Sequence, residues 1–299
     1  MSYLDQVERG KKQKPLFVLI YGSDGVGKST FGADSPDPIF LCAESGTNHL
    51  DVNRLPEPKS FEDVLGMVDE LLTTKHKFVS LVIDSLDWME PLVWKQVCAD
   101  GDKKNVEDFG YGKGYVLALG QWQKLIEKLK ALREKMNIVL IAHAQVKTFQ
   151  DPVLNSGYDR YQLKLNEKAA SLFREAVDAV LFATYEVFTK KDGLKTRAFG
   201  EGARVIFTER RPGHDAKNRF GLPYQMALNW EEFTNVIESG IGDTTDQIKE
   251  SIDGLLAQVK DQELKKKVKQ TVEASANDPI KLRKIVDRLN LKLEGAAHG

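Results

Sequence analysis

The chain has 299 residues, of which 41% are hydrophobic and 29% charged, and its net charge is −1. That length allows one large domain and a small one, the apolar share excludes global disorder, and the balanced charge confines any nucleic-acid site to a local patch. Only two cysteines occur, Cys42 and Cys98, at no zinc or CxxC spacing, which suits a reducing compartment.

Residues 1–14 read as a polar arm without the apolar stretch of a signal peptide. The apolar runs that follow are far too short to span a bilayer. A soluble cytoplasmic protein with no membrane partner is the expectation. Pro15 to Tyr21 is a continuous apolar run, as in a strand buried on both faces of a parallel sheet. Similar runs recur at Pro38 to Ala43, Phe78 to Ile83 and Asn137 to Ala142. Between them, Phe61 to Leu72 and Trp122 to Met136 carry apolar residues at helical spacing. Strands alternating with helices predict an α/β fold with a mostly parallel central sheet. The segments 176–187, 203–208 and 224–230 follow closely and suggest added strands, antiparallel ones among them, at one side of that sheet. Gly240 to Asp243 reads as a linker, after which the pattern turns helical. Thr244 and Gln247 form a capping-box pattern, and Asp278-Pro279 is a helix start. The predicted organisation is an arm (1–14), a core (15–238) and a small C-terminal helical region (239–299).

The run Gly22-Ser23-Asp24-Gly25-Val26-Gly27-Lys28-Ser29 matches GxxxxGK[ST] at every fixed position, after a strand and before a helix. Glycines there let backbone N–H groups converge on phosphate oxygens. Lys28 is expected to reach the β- and γ-phosphates, Ser29 to ligate Mg²⁺, and Gly22 to Thr30 to form the ATP cradle. Phe78 to Asp84 is an apolar strand ending in a carboxylate, which suits the second Mg²⁺ contact of such sites. Ser85 follows, so a catalytic base must come from elsewhere. Glu44, at the end of the next strand after the loop, is the candidate base; a solvated strand-end glutamate is the alternative. Gln145 and His143 end a further strand, where Gln145 is expected to sense the γ-phosphate. His143 is equally a sensor or a hydrogen-bonded wall residue.

This loop, Ala43-Glu44, Val82-Ile-Asp84-Ser85 and His143-Ala-Gln145 together resemble the RecA-like ATPases. Ala216 to Gly221 looks like the Lys-x-Arg element of RecA- and DnaB-type enzymes, here Lys217 and Arg219. In those families this element reaches the neighbouring subunit's γ-phosphate; a solvated basic strand end is the plain alternative. With Tyr111 to Gly114 and Ala216 to Pro223, the pattern is most similar to the phage Sak group, associated with single-strand annealing and recombination. The resemblance implies a homo-oligomer, filament or ring, that hydrolyses ATP between subunits in the host cytoplasm. It implies single-stranded DNA as partner, and a single-strand-binding protein as a further one.

RecA-like proteins bind DNA through two loops, which correspond here to about 101–114 and 147–165. Lys113 in the first, and Lys147, Tyr158, Arg160, Tyr161 and Lys164 in the second, interleave cations with aromatics that stack bases and contact phosphates. Ordinary surface loops remain the alternative. The lysines at 265–267 and 269 read as a solvated helix face. Two other functions stay open: a hexameric DnaB-like motor, and a nucleotide-switched adaptor without DNA activity.

Overall fold

The structure is a computed structural model. It describes Val7 and residues 14–43, 45–151, 156–192, 195–199, 202–238, 245–259 and 261–275, together with Leu282, Ile285, Val286, Arg288 and Leu289. Glu44, the linker 240–243, Thr244 and Asp278-Pro279 lie outside the described residues.

In chain order the elements are β1 (Phe17–Gly22), α1 (Lys28–Ala33), β2 (Pro38–Cys42), β3 (Asn53–Arg54), α2 (Phe61–Thr73), β4 (Ser80–Asp84) and α3 (Leu86–Asp100). Then come α4 (Lys113–Leu132), β5 (Asn137–Asp151), β6 (Ser156–Leu163), α5 (Glu167–Ala176), β7 (Ala179–Tyr185), β8 (Phe188–Asp192), β9 (Lys195–Phe199) and β10 (Arg204–Phe207). The last are β11 (Lys217–Asn218), β12 (Gln225–Ala227), α6 (Trp230–Glu238), α7 (Thr245–Gln258) and α8 (Gln262–Ala274). The chain divides into two compact units, Met1–Asn218 with Gln225–Glu232, and Arg219–Tyr224 with Phe233–Gly299.

The central sheet of the first unit runs β12-β10-β7-β1-β5-β4-β2-β3. From β7 to β3 every pairing is parallel, while β10 and β12 run antiparallel at the edge. This is the predicted mostly parallel α/β sheet. Its strands read as unbroken apolar runs because both faces are covered. Phe17, Leu19, Tyr21, Leu81, Ile83 and Leu140 face a layer formed by α2 to α5. On the other face α1 packs so closely that a Cβ on Gly32 would stand 2.8 Å from a Val82 methyl. Each fully buried aliphatic or aromatic side chain stabilises such a core by about 1.5–3 kcal/mol.

Local signals explain the helix boundaries. Ser60 accepts the Asp63 N–H at 3.0 Å and Asp63 accepts the Ser60 N–H at 2.9 Å, a reciprocal cap that starts α2 one residue later. α4 starts at Lys113, well before the predicted Trp122, and stops at Leu132. Its end is fixed from outside. Arg133 donates to the Pro15 carbonyl at 2.8 Å and pairs with Asp178.

Two expectations change. The segment 147–165 is not a loop: β5 runs on past the sheet and returns as β6, an antiparallel hairpin with Lys147 opposite Arg160 and Phe149 opposite Tyr158. The segment 176–187 is not an added edge strand either. The helix α5 leads into β7, which pairs in parallel with β1 inside the sheet. α5 thus carries the chain across from the hairpin to β7.

The second unit has its own small core. Ile248, Ile252 and Leu256 of α7 pack with Val259, Leu282 and Leu289, flanked by Leu264, Val268 and Val272 of α8. Asp261 caps α8 by accepting the Glu263 and Leu264 N–H groups. Of the lysines read as a solvated face, Lys266, Lys267 and Lys269 are exposed and Lys265 is half-buried. Among the described residues, no helix is long and apolar enough to cross a membrane.

Candidate active site

The parallel register aligns the ends of three strands. Gly22 stands beside His143, and Cys42 beside Asp84, so the loop, the end of the carboxylate strand and His143 of β5 meet at one end of the parallel sheet. β5 lies between β1 and β4, so its last core residue faces the space between loop and carboxylate. Gly22 itself is demanded by packing. A Cβ there would lie 2.0 Å from the Ala183 carbonyl oxygen of β7. At Gly27 the backbone has φ +107°, which side-chain-bearing residues rarely adopt.

The resulting cleft has a volume of about 310 Å³ and is lined by Gly25, Gly27, Lys28, Ser29, Thr30 and Asp84, with Gly46, His49, His143 and Arg204 completing the wall. Lys28 is buried, and its ammonium donates to the Gly22 and Ser23 carbonyls at 3.0 and 2.8 Å. The Ser29 hydroxyl donates to Asp84 Oδ2 at 2.6 Å. Burial raises the Asp84 carboxyl pKa above its ordinary value, against the Ser29 bond and the charges of Lys28 and His143, while Asp87 adds to the rise. A desolvated carboxylate beside a hydroxyl, both hard oxygen ligands, fits Mg²⁺. Among the described residues, no group of three or more His, Cys, Asp or Glu is placed to hold a metal alone. The peptide between Asp84 and Ser85 is cis.

His143 is held from behind. Asp87, in the first turn of α3, accepts its backbone N–H at 2.9 Å and bonds Nδ1 at 2.8 Å. The opposite ring nitrogen, Nε2, lies 3.6 Å from Asp24 of the loop. The Asp87 bond raises the His143 pKa; burial and Lys28 oppose this, and the charges of Asp87 and Asp24 reinforce it. For Asp87, burial acts upward, but the bonds from His143 outweigh it and lower the pKa.

The other predicted residues are distributed more widely. Gln145 is two residues beyond His143 on a strand that does not stop, about 6–7 Å farther on. It lines a neighbouring cleft and donates to the Leu163 carbonyl at 2.7 Å instead of facing the loop. Lys217 spends its ammonium on the C-terminal end of α5, donating to the Arg174, Glu175 and Val177 carbonyls at 2.7, 3.1 and 2.6 Å. It is therefore engaged within its own chain, as a helix C-terminus favours. Arg219 is exposed and belongs to the second unit.

Arg160 is not a surface cation. It is buried, bonded to the His214 carbonyl and to Asp215 at 3.2 and 3.1 Å, and its guanidinium lies over the Phe149 ring. Tyr158 packs against Phe149 and Tyr161 stacks on Phe182, each leaving only part of its ring outward. Lys113, Lys147 and Lys164 are exposed. Lys147 and Lys164 share the neighbouring cleft, also about 310 Å³, with Trp88, Trp94, Glu90 and Gln145. Glu90 is buried and accepts the Asn166 N–H, and desolvation pushes its pKa up to about 7. The Trp94 indole N–H is buried without a hydrogen-bond partner among the described residues. In the first loop Tyr111 is fully exposed at a positive φ, between Gly110 and Gly112.

Sequence reading missed Asp87, Trp94, Tyr185, Arg204 and His49. Only Asp87 carried a signal, an acid three residues after Asp84 at a helix start.

A family described as AAA domain (AAA_24) matches residues 14–220, more than half of the chain. The chain belongs to that family, a class of P-loop nucleotide-binding proteins, as its loop and Asp84 indicate. No curated protein matches. Three similar solved structures are the RadB recombinase, a KaiC-like protein PH0186 from Pyrococcus horikoshii OT3 and the flagellar accessory protein FlaH from Methanocaldococcus jannaschii. Their identities are 11%, 12% and 12%, with TM-scores of 0.36, 0.33 and 0.32. They cover 66%, 65% and 65% of this chain and 82%, 79% and 85% of their own. Likeness of this degree says nothing about what the chain binds.

Proposed function

We propose that this protein is a RecA-like, Mg²⁺-dependent ATPase that binds single-stranded DNA and works as an oligomer in recombination, by annealing or strand pairing. The observation that carries the ATPase reading is the 2.6 Å contact of Ser29 with Asp84 beside the buried Lys28. Lys28 and the loop N–H groups orient the phosphates. Ser29 and Asp84 would hold Mg²⁺, which would supply positive charge to the phosphates. His143, positioned by Asp87, takes the phosphate-sensing role that the sequence assigned to Gln145. Glu44, two residues beyond the Cys42–Asp84 register pair, is the candidate base for the attacking water. Arg219 is the candidate cation in trans, without Lys217 as its companion.

The DNA reading is supported by the neighbouring cleft, where Lys147 and Lys164 lie with two indoles, and by the exposed Tyr111 near Lys113. Cations beside flat aromatic faces suit phosphates and unstacked bases. The test is anisotropy of a labelled oligonucleotide across a salt series. Changing Lys147 and Lys164 together to alanine should lower the slope of log affinity against log salt by about 0.7 per lost contact, with ATP binding retained. An unchanged slope would remove the DNA site from this cleft. No binding by the wild type would favour the adaptor.

A further inference from the structure

The nucleotide cleft contains a cation that the loop motif does not account for. Arg204 opens β10, in register with Tyr185 of β7. Both lie on the β7 side of β1, away from β5 and His143. The Tyr185 hydroxyl donates to the Gly25 carbonyl at 3.0 Å, so the ring is tied to the loop. The Arg204 guanidinium lies over that ring, 5.9 Å from its centre. Its Nη1 comes within 3.0 Å of the point that a Gly27 Cβ would occupy. An arginine at the exposed start of a strand ordinarily extends into water. This one is laid against the loop, and among the described residues it forms no ion pair.

We propose that Arg204 binds nucleotide in cis, its guanidinium contacting the phosphate chain held by the same chain's loop. The inference rests on the nucleotide reading of that loop. Position favours phosphate over base, because Nη1 reaches Gly27, in the stretch whose N–H groups converge on phosphate oxygens. The planar fork of a guanidinium can hold two such oxygens through paired N–H bonds, whereas the ammonium of Lys28 acts as a point charge. Phosphates would then be gripped by Lys28 from below, by Ser29 and Asp84 with the metal ion on the β4 side, and by Arg204 on the β7 side. Tyr185 is a positioning residue that keeps the arginine folded over the loop.

The test uses the full chain and titrates ATP, ADP and inorganic tripolyphosphate, each with Mg²⁺, into wild type, Arg204→Gln and Arg204→Lys. Arg204→Gln should weaken all three by a similar factor, about ten- to a hundredfold for one charge-assisted contact, with unliganded melting unchanged. Arg204→Lys should recover part of that loss. If the glutamine variant fails to fold, the lysine variant carries the test through a smaller loss shared by all three ligands. Adding Lys28→Ala protein, whose Arg204 is intact, should not restore binding to Arg204→Gln. Undiminished tripolyphosphate binding would overturn the proposal, whether ATP weakens (an arginine acting on the base) or not (a bystander). Restoration by the mixture would overturn the cis assignment. A folded wild type that binds none of the three ligands would instead remove the nucleotide reading, and the proposal with it.

Discussion

At His143 three influences meet on one ring. The Asp87 bond favours the imidazolium, burial and Lys28 oppose it, and Asp24 adds a favourable charge from the loop. The net shift is upward, so an NMR titration should place the His143 midpoint above 6.5, and Asp87→Asn should lower it. The sign for stability follows from proton linkage. A histidine with a raised folded pKa stabilises most below its unfolded value, and that contribution disappears as pH rises through the folded value. A midpoint at or below 6.5 in the wild type would show that Asp87 does not hold the ring as described. The sequence displayed the loop and Asp84 directly, because their chemistry is written in consecutive residues. Asp87 and His143 are 56 positions apart and meet only because α3 starts beside the middle of β5. Arg204 is separated from Gly27 by most of the unit, and no spacing rule connects them.

The hairpin of β5 and β6 shows the same contrast for an element. Its alternation of aromatics and cations suits either a base-stacking loop or a packed antiparallel pair. The register pairs the two strands antiparallel, and Arg160 bonds Asp215, which also pairs with Arg174 at 3.2 Å. Arg160→Ala should therefore destabilise the fold by about 3–5 kcal/mol, the scale of removing one partner from a buried ion pair. Lys164→Ala, on the exposed edge, should change stability by no more than about 0.5 kcal/mol. Urea unfolding of the two variants checks this, and near-equal midpoints would contradict the buried pair. The strands β1, β2 and β4 and the start of β5 were legible because burial on both faces leaves nearly unbroken apolar runs. The hairpin, α5 and the parallel role of β7 were not, since charged and aromatic residues there serve local packing that composition does not reveal.

For the molecule as a whole, strand order does the positioning. A sheet with one strand between the loop strand and the Asp84 strand brings Lys28, Ser29, Asp84 and His143 to a single end. The second cleft opens beyond the same strand, so Gln145 and Lys147 continue the line that His143 begins. Asp87 borders that cleft as well, giving one residue a place beside both. The helices α7 and α8 form a separate core, and nothing in the nucleotide chemistry requires them. The proposed function requires hydrolysis of ATP at the Gly22–Ser29 loop with a metal ion held by Ser29 and Asp84. The most direct measurement is phosphate release from ATP by wild type, Lys28→Ala and Asp84→Asn across a Mg²⁺ series, with and without single-stranded DNA. Turnover by the wild type that requires Mg²⁺, falls at least about a hundredfold in Lys28→Ala, and needs much more Mg²⁺ in Asp84→Asn is the predicted result. Equal turnover in all three proteins, or turnover indifferent to Mg²⁺, would contradict it.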